Sequence, residues 1–240
     1  MPESILVRKL QTVADLSASD REQLHGLCHE VALVRPKRDI ISEGVRPERV
    51  HLMVQGWAAR YKQLADGKRQ ITAFLIPGDF CDLHVAVLGH MDHSIVALSR
   101  CKVAYIDSKE LDRIISESSR LAKAMWWTTL VDEATLRQWV VNVGRRDAYQ
   151  RIAHILCEMY VRMRLVGLVE DNRLELPLTQ EDLADATGMS AVHTNRTLQR
   201  LRNESLIEVR SGQLHVLDVA ALQKSGGFDP NYLHIERRIK

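Results

Sequence analysis

The sequence lacks the features that would place the chain in a membrane or build it around disulfide bonds or metal. Its four cysteines are scattered over 240 residues without a Cys-x-x-Cys pair or metal-ligand spacing, so we expect reduced thiols. No run of about 18 uncharged apolar residues occurs, and the N-terminus has no cationic segment followed by an apolar one. We therefore expect a cytoplasmic protein with no membrane partner.

The sequence also lacks a large excess of positive or negative charge. The chain has 33 Lys and Arg against 31 Asp and Glu, which gives a formal net charge of +2. Because no overall positive field attracts a polyanion, any nucleic-acid function must depend on local charge. Apolar residues make up 45% of the chain, as in a folded globular protein, and the length favours two domains.

Glycines divide the first half of the chain into short segments of strand character. Gly44, Gly56, Gly67 and Gly78 lie 12, 11 and 11 residues apart. The last two stand in Asp-Gly and Pro-Gly pairs, which are turn signals because glycine accepts a positive φ. Short strands of regular length between glycine turns predict an antiparallel roll or barrel that ends near residue 107.

A long helix is predicted after the roll. Residues 108–143 contain no glycine or proline and are rich in helix formers, which favours one helix or two pieces. Apolar side chains occupy two faces, with Trp126 and Leu130 on one of them, so the helix can pack on its own roll and on a second subunit. A helix wholly inside one domain is the alternative, since the heptads are imperfect. A hinge at 144–147 and a helix over 148–165 follow.

The most informative segment, residues 179–203, has the pattern of two short helices joined by a glycine turn. Thr179 is placed to cap the first helix, and Asp182 stands three residues later in the capping-box position. Gly188 provides the turn, and Ser190 is placed to cap the second helix. The spacing therefore predicts a helix-turn-helix.

The second helix of this motif is locally cationic. Between Gly188 and Asn203 there are three arginines, one histidine and no carboxylate, which suits a position beside phosphates. Arginine can donate two hydrogen bonds to guanine in the major groove, and asparagine can do the same to adenine. A plain solvated helix hairpin is the alternative. Residues 206–217 alternate and turn at Ser211-Gly212, which adds a wing and favours a winged helix.

This order of elements resembles the Crp/Fnr superfamily, the relatives of the cyclic-AMP receptor protein and the fumarate-nitrate regulator, over nearly the whole chain. The resemblance implies an α+β fold with an N-terminal cyclic-nucleotide-binding-like β-roll, a long dimerisation helix and a C-terminal winged helix-turn-helix. The implied division is a roll at 1–107, a dimerisation helix at 108–144, a DNA-binding domain at 145–225 and a tail at 226–240. It implies a homodimeric transcription regulator that binds a pseudo-palindromic site on double-stranded DNA.

The resemblance also assigns roles on the DNA. In the family the first helix of the motif and its cap contact phosphates, and the second helix reads bases. The reading arginine falls on Arg196, whereas Val192 occupies a reading position that is usually Glu, so operator preference should differ from that of the best-known members. Arg200 is expected to contact the DNA backbone. The predicted DNA-binding residues are Thr179, Gln180, Ser190, Ala191, Val192, His193, Asn195, Arg196 and Arg200.

The possible effector pocket departs from the family. Gly78-Asp79-Phe80 matches the start of the phosphate-binding cassette, but Asp82 replaces the cassette Gly, Leu83 the Glu that holds the ribose, and His93 the phosphate-binding Arg, with Ser94 retained. Without that acceptor and that fixed cation, control by cyclic AMP is not expected. A protonated His93 can still pair weakly with an anion. The effector, if there is one, stays open.

No cofactor is expected. The oxygen-sensing branch of the family binds an iron–sulfur cluster through a tight N-terminal cysteine group, and here only Cys28 lies near the N-terminus. A metal site among His84, His90 and His93 and redox sensing by Cys157 are open alternatives.

Two other functional classes compete with a DNA-binding regulator. An enzyme is not expected, because the sequence has no phosphate loop, nucleophile elbow or paired metal motif. The second class is a ligand-binding or scaffold protein whose winged helix contacts protein; its arginines would be paired to neighbouring carboxylates instead of exposed. RNA polymerase is an expected partner if the regulator is an activator, and activation against repression stays open.

Overall fold

The computed structural model describes residues 3–83 and 88–235. The chain forms two compact units. The first comprises Met1–Tyr61, Phe74–Glu133 and Leu233–Lys240, and the second comprises Lys62–Ala73 and Ala134–Tyr232. Among the residues described, none of the helices combines the length and apolarity that crossing a bilayer requires.

Two short helices and an antiparallel β-roll form the N-terminal part of the chain. The helices are α1 (Ile5–Leu10) and α2 (Ala18–Gly26). The strands are β1 (Val31–Val34), β2 (Asp39–Ile41), β3 (Arg49–Gln55), β4 (Ala58–Gln63), β5 (Arg69–Leu75), β6 (Ser94–Ala97) and β7 (Cys101–Asp107). They form two sheets with strand orders β1-β7-β3 and β2-β6-β4-β5. The predicted roll between glycine turns is therefore confirmed.

Glycine is required at two of the predicted turns. Gly56 has a φ of +87°, and a Cβ there would clash with the carbonyl oxygen of Arg100. Gly78 has a φ of +94°, and a Cβ there would lie 3.2 Å from Cδ of Lys9. Both positions therefore disfavour other residues by backbone conformation, and Gly56 also does so by lack of space.

The core of the first unit contains two apolar clusters. One is formed by residues of α1, α2, β3 and the helices after the roll, and includes Leu6, Leu24, Leu52, Ile114 and Leu121. The other lies among the strands and includes Met53, Leu75, Met91, Ile95 and Val103. Because the cassette side chain of Phe80 belongs to the first cluster, the start of the cassette is fixed by apolar packing.

The long helix has two pieces, as one of the sequence-based alternatives predicts. They are α3 (Ser108–Glu117) and α4 (Ser119–Arg145), and Ser118 between them has extended backbone angles. The predicted hinge at 144–147 is too long, because Gly144 is still helical. The turn is confined to Arg146 and Asp147, and Asp147 caps the next helix with a capping box to Gln150.

One face of α4 is apolar and uncovered in the single chain. Trp126 is 75% exposed, Leu130 is 56% exposed and Val140 is 67% exposed, whereas Leu121 and Met125 on the other side are buried. These exposures contradict the alternative that the helix lies wholly inside one domain. Such exposed fractions are typical of a helix that packs against a partner through a second apolar face.

The second unit contains the winged helix-turn-helix. Its elements are α5 (Ala148–Leu165), β8 (Arg173–Glu175), α6 (Gln180–Thr187), α7 (Ala191–Asn203), β9 (Ile207–Arg210), β10 (Gln213–Val216), α8 (Val219–Gly226) and a 3-10 helix (Pro230–Leu233). The strands pair in the order β8-β10-β9. The wing turns at Ser211 and Gly212, whose φ values of +51° and +74° are those of a hairpin turn. The predicted bounds of α5 are confirmed.

A buried polar cluster joins α5 to the end of the second unit. Glu158 is fully buried and accepts hydrogen bonds from Trp139 Nε1 at 3.1 Å, Arg162 Nη1 at 3.0 Å and the Tyr232 hydroxyl at 2.8 Å. Burial raises the pKa of Glu158, and Arg162 opposes that shift. The Phe228 ring packs edge-on against His154 nearby. The first part of the tail is thus fixed on α5, whereas the basic residues Arg237, Arg238 and Lys240 lie outside the described residues.

His154 makes the second unit sensitive to acid. Burial first, and then Arg146, lower the pKa of His154 to about 4. The unfolded chain therefore binds a proton first, and the stability that is present above pH 6.5 is lost as the pH falls toward 4. The loss is up to about 1.4 kcal/mol for each pH unit.

We expect His154→Asn, which cannot ionise, to reduce the loss of unfolding free energy between pH 7 and pH 5. Urea unfolding at the two pH values measures it. His25→Asn is the matched control, because it makes the same replacement at an exposed histidine. The same pH dependence in the native chain and in His154→Asn would contradict the assignment.

Candidate nucleic-acid interface

The first helix of the motif begins and ends as predicted. The Thr179 hydroxyl accepts a hydrogen bond from the Asp182 backbone N–H at 3.1 Å, and the Asp182 carboxylate accepts one from the Thr179 backbone N–H at 3.0 Å. Gly188 ends the helix with a φ of +67°. Thr179 and Gln180 are both exposed at the helix start. The two residues predicted to contact phosphates are therefore accessible at a helix N-terminus, where backbone N–H groups favour an anion.

An arginine of the β4–β5 hairpin holds this helix, and sequence reasoning missed it. Arg69, in the hairpin segment that belongs to the second unit, bonds to Asp182 through Nη2 at 2.9 Å and to Asp185 through Nε at 2.8 Å. Burial lowers the pKa of Arg69, but hydrogen bonds to the two carboxylates raise it more. The negative charges of Asp182 and Asp185 are thus neutralised close to the candidate phosphate contacts.

The second helix of the motif, α7, has a clear inner and outer side. Ser190 caps it by accepting a hydrogen bond from the His193 backbone N–H at 3.2 Å. Leu198 and Leu201 are buried, and so is Thr194. The exposed side chains include four that are predicted to meet DNA, Val192, His193, Arg196 and Arg200, together with Gln199, while the predicted Asn195 is half-buried. The helical period therefore separates the packing residues from the candidate base readers.

Two shallow surface grooves flank the outer face of α7. The first is lined by Gln180, Ala191, Val192, Asn195, Arg196 and Gln199. The second is lined by Asp147, Ala148, Tyr149, His193, Arg196, Thr197 and Arg200. Seven of the nine predicted residues line these grooves, while Thr179 and Ser190 stand at the two helix starts. Arg196 lines both grooves and so lies at the centre of the face.

The two outward arginines of α7 differ in their partners. Arg196 is exposed and, among the described residues, has no ion pair. Arg200 donates from Nε to Glu204 at 2.9 Å, and its guanidinium lies 4.2 Å from the ring centre of Tyr149. The Tyr149 hydroxyl also bonds to Glu204, and lowers its pKa together with Arg200. Only Arg200 therefore shows the pairing that the protein-contact alternative requires.

The contacts of Arg200 with Glu204 and Tyr149 were not predicted from the sequence, for two different reasons. The charge count of the second helix ended at residue 203, one position before Glu204. Arg200 and Glu204 are four residues apart, which is the spacing of a helical ion pair and is a readable signal. Tyr149 lies on α5, and no local pattern predicts that its ring packs beneath Arg200.

The cassette is bonded to the protein's own side chains. Asp79 accepts from Lys9 Nζ at 2.6 Å and from the Ile76 backbone N–H at 2.8 Å. Asp82, which is fully buried, accepts from the backbone N–H of His51 at 2.7 Å and from its Nδ1 at 2.6 Å. The two cassette carboxylates are thus each engaged inside the roll. A carboxylate at the position of the cassette glycine also repels a phosphate.

Arg60 of β4 links the cassette to the long helix. Its Nη2 donates to the carbonyl oxygen of Phe80 at 2.9 Å and to Asp132 of α4 at 2.7 Å. The Arg60 side chain is only 15% exposed. Burial lowers its pKa, but the neighbouring acidic groups, Asp132 foremost, together raise it more, so the side chain stays charged. The sequence reading contains no signal for this contact.

The remaining cassette positions offer little for a cyclic phosphate. Leu83 is half-buried and packs on the apolar core, so it provides no ribose acceptor. His93 bonds through Nδ1 to Asp92 at 2.6 Å, and a carboxylate beside it opposes an anion. The Ser94 hydroxyl accepts from the backbone N–H of Glu43 at 2.9 Å. The retained serine therefore has a structural bond of its own.

Comparison with known proteins agrees with the two halves of this architecture. Residues 33–118 match the cyclic nucleotide-binding domain family, and residues 150–225 match the Crp-like helix-turn-helix domain family. The activatory protein AadR of Rhodopseudomonas palustris is 28% identical over 213 residues, which cover 88% of this chain and 87% of AadR. The nitrogen fixation regulation protein FixK of Bradyrhizobium diazoefficiens is 27% identical over 171 residues, 71% of each chain.

A solved structure shares the fold. FixK2 from Bradyrhizobium japonicum aligns with a TM-score of 0.73 at 24% identity and covers 83% of this chain and 98% of its own. The chain belongs to the Crp/Fnr superfamily. It is a DNA-binding transcription regulator with the β-roll, long helix and winged helix-turn-helix of that superfamily, whose members act as dimers. Members of the superfamily are regulators and not enzymes.

Two further ways for a Crp/Fnr protein to sense a signal, a metal site and a redox-active cysteine, can be compared with the structure. Among the described residues, no group of three or more His, Cys, Asp or Glu is placed to hold a metal ion, and His84 lies outside them. Cys157 is buried, and burial raises its pKa to about 12. Burial likewise raises the pKa of Cys28 to about 11. Burial and the raised pKa both disfavour the thiolate that redox sensing by Cys157 would need.

Proposed function

We propose that this Crp/Fnr member binds a pseudo-palindromic operator as a homodimer through the outer face of α7, without control by cyclic AMP. The observation that carries the proposal is Arg196, an exposed guanidinium that has no ion pair with any described residue and lies at the centre of a face whose other side chains are mostly uncharged. Such a group can donate two hydrogen bonds to guanine in the major groove. A protein-contacting surface would instead have this arginine paired to a carboxylate.

The proposed contacts divide between bases and backbone. Arg196 reads a base, with His193 and Asn195 on the same face beside it. The hydroxyls of Thr179 and Ser190 stand at helix N-termini, where the helix dipole and free N–H groups favour phosphate oxygens. Gln180 and Arg200 complete the backbone contacts. Backbone contacts set the register of α7 on the duplex, whereas base contacts set the sequence preference.

The proposed dimer forms through the apolar face of α4. A second copy that covers Trp126, Leu130 and Val140 would remove three large exposed apolar side chains from water. Two-fold symmetry then presents two α7 helices to half-sites about one helical turn apart. In this proposal residues 1–107 are the roll, 108–144 the dimerisation helix, 145–225 the DNA-binding domain and 226–240 the tail.

We expect Trp126→Asp to shift the protein toward a monomer, because dimerisation would bury a carboxylate without a partner. Sedimentation equilibrium measures the change. Lys109→Asp places the same side chain at an exposed position of α3 and should leave the dimer intact. A Trp126→Asp protein that dimerises as strongly as the native chain would contradict this interface.

Independence from cyclic AMP is supported by the bonds within the roll. Asp82 and Asp79 place two carboxylates in the cassette, and Arg60 already joins the cassette to α4. In the proposal, Arg60 makes within the chain the link between the cassette and α4 that a bound effector would otherwise make. The predicted pocket residues, Gly78, Asp79, Phe80, Asp82, Leu83, His93 and Ser94, would then have a structural role.

Activation of transcription extends the proposal. AadR and FnrL of Cereibacter sphaeroides are named a transcriptional activatory protein and a transcriptional activator. If the output here is the same, RNA polymerase is the further partner. Since the operator is chromosomal DNA, the proposed place of action is the bacterial cytoplasm.

Selection of bound duplexes from a random pool, with purified protein and no added ligand, tests the proposal. A two-fold-symmetric enriched motif is the expected result, and cyclic AMP should leave the Kd for that motif unchanged. The same selection is then repeated with Arg196→Ala. The motif that this variant enriches should lose its base preference at one position in each half-site. Absence of enrichment with and without cyclic AMP would refute operator binding by the ligand-free protein. Enrichment only with cyclic AMP would refute effector independence.

A further inference from the structure

The outer face of α7 contains one apolar side chain that packing does not explain. Val192 is 71% exposed, whereas Leu198 and Leu201 of the same helix are almost completely buried. A single exposed apolar residue is ordinary at most surface positions. Here the position matters, because Val192 lies four residues before Arg196 and lines the same groove. Residues four apart are neighbours on one helix face.

The chemistry of the groove restricts what Val192 can contact. Its other lining side chains include the amides of Gln180, Asn195 and Gln199 and the guanidinium of Arg196. All four can hydrogen-bond to base edges, but a valine can neither donate nor accept. The apolar group that a base pair presents in the major groove is the 5-methyl group of thymine. An exposed valine among hydrogen-bonding side chains therefore matches a thymine methyl.

We propose that Val192 determines specificity by packing against the 5-methyl group of a thymine in each operator half-site. The proposal rests on the proposed function, since it requires that α7 enters the major groove. The Cβ atoms of residues four apart on a helix are about 5–6 Å apart. Successive bases on one strand are about 3.4 Å apart. The thymine should therefore lie within about two base steps of the base that Arg196 reads.

Replacement of thymine by deoxyuridine tests the contact, because it removes only the methyl group. The operator obtained by selection is resynthesised with deoxyuridine at one thymine position at a time, symmetrically in both half-sites. We expect one position near the Arg196 base to lower affinity about threefold to fivefold per half-site, the effect of exposing one buried methyl group. Other thymines should tolerate the change.

A double-mutant cycle that combines Val192→Ala with the deoxyuridine substitution tests whether Val192 is the side chain that contacts the thymine methyl group. In Val192→Ala the deoxyuridine penalty at that position should disappear, whereas in the matched control His193→Ala, on the same turn, it should persist. Because Val192 is exposed, its truncation should leave unfolding unchanged. A penalty that persists in Val192→Ala, or an operator insensitive to deoxyuridine at every position, overturns the inference. Either result would leave the proposed function standing, because selection of a two-fold-symmetric operator tests that function independently of Val192.

Discussion

Arg196→Ala is expected to weaken binding to the selected operator by about 1 to 3 kcal/mol, or about fivefold to 150-fold in Kd. Arg196 is exposed and has no ion pair among the described residues, so its removal leaves no buried group unpaired. The loss should therefore report the DNA contact and not a change in folding. Binding to random duplex should fall much less, because one phosphate-attracting charge is a small part of the total. Competition titrations with cognate and random duplexes give both values.

Two substitutions separate base reading from attraction to phosphate. Arg196→Lys keeps the positive charge but loses the two parallel N–H donors of the guanidinium. It should therefore bind the cognate operator almost as weakly as Arg196→Ala does. Arg200→Gln removes a charge predicted to face the backbone, so it should weaken cognate and random binding alike. It should also reduce the slope of log K against log salt by about 1. Equal losses on cognate and random DNA for Arg196→Ala would show that Arg196 is not a base reader.

The helix boundaries of the DNA-binding unit that the sequence predicts correctly are set by residues close together in the chain. The capping box of Thr179 and Asp182 joins residues three apart, and Ser190 bonds to His193 at the same spacing. Gly188 adopts the left-handed conformation that few other residues tolerate. These signals are local, so the residue types alone predict where the helices begin and end.

The contacts that were missed join residues far apart in the chain. Arg69 and Asp182 are separated by 113 positions, and Arg60 and Asp132 by 72. Whether such pairs meet depends on strand register and on how helices pack over the sheet, and periodicity does not encode either. The sequence therefore indicates a departure from the family cassette at Asp82 but not the bond to His51 that occupies it.

The predicted hinge at 144–147 was wrong in its first half for an energetic reason. Glycine inside a helix costs only about 1 kcal/mol relative to alanine. The residues on both sides of Gly144 favour the helix, which continues to Arg145. The chain turns where Asp147 can cap α5, since a cap supplies acceptors to N–H groups that would otherwise be free. Cap position was therefore a better predictor of the boundary than glycine.

Glu158→Ala is expected to destabilise the second unit by about 3 to 5 kcal/mol. The carboxylate is fully buried and accepts from three donors, on Trp139, Arg162 and Tyr232. The Arg162 side chain is only 13% exposed, so the substitution leaves a largely buried guanidinium without its carboxylate. Urea unfolding followed by circular dichroism measures the change. Glu170→Ala, at an exposed position before β8, is the control and should have little effect.

The source of that loss can be separated by two further variants. Tyr232→Phe removes one donor and leaves the charge pair, so it should cost about 1 to 2 kcal/mol. Glu158→Met combined with Arg162→Met removes both members of this charge pair, so much of the loss in Glu158→Ala should be recovered. Because Tyr232 lies beyond α8, the same cluster fixes the first part of the tail to α5. If the double variant is as unstable as Glu158→Ala, the hydrogen bonds from Trp139 and Tyr232, and not the charge pair, hold this end of the unit together.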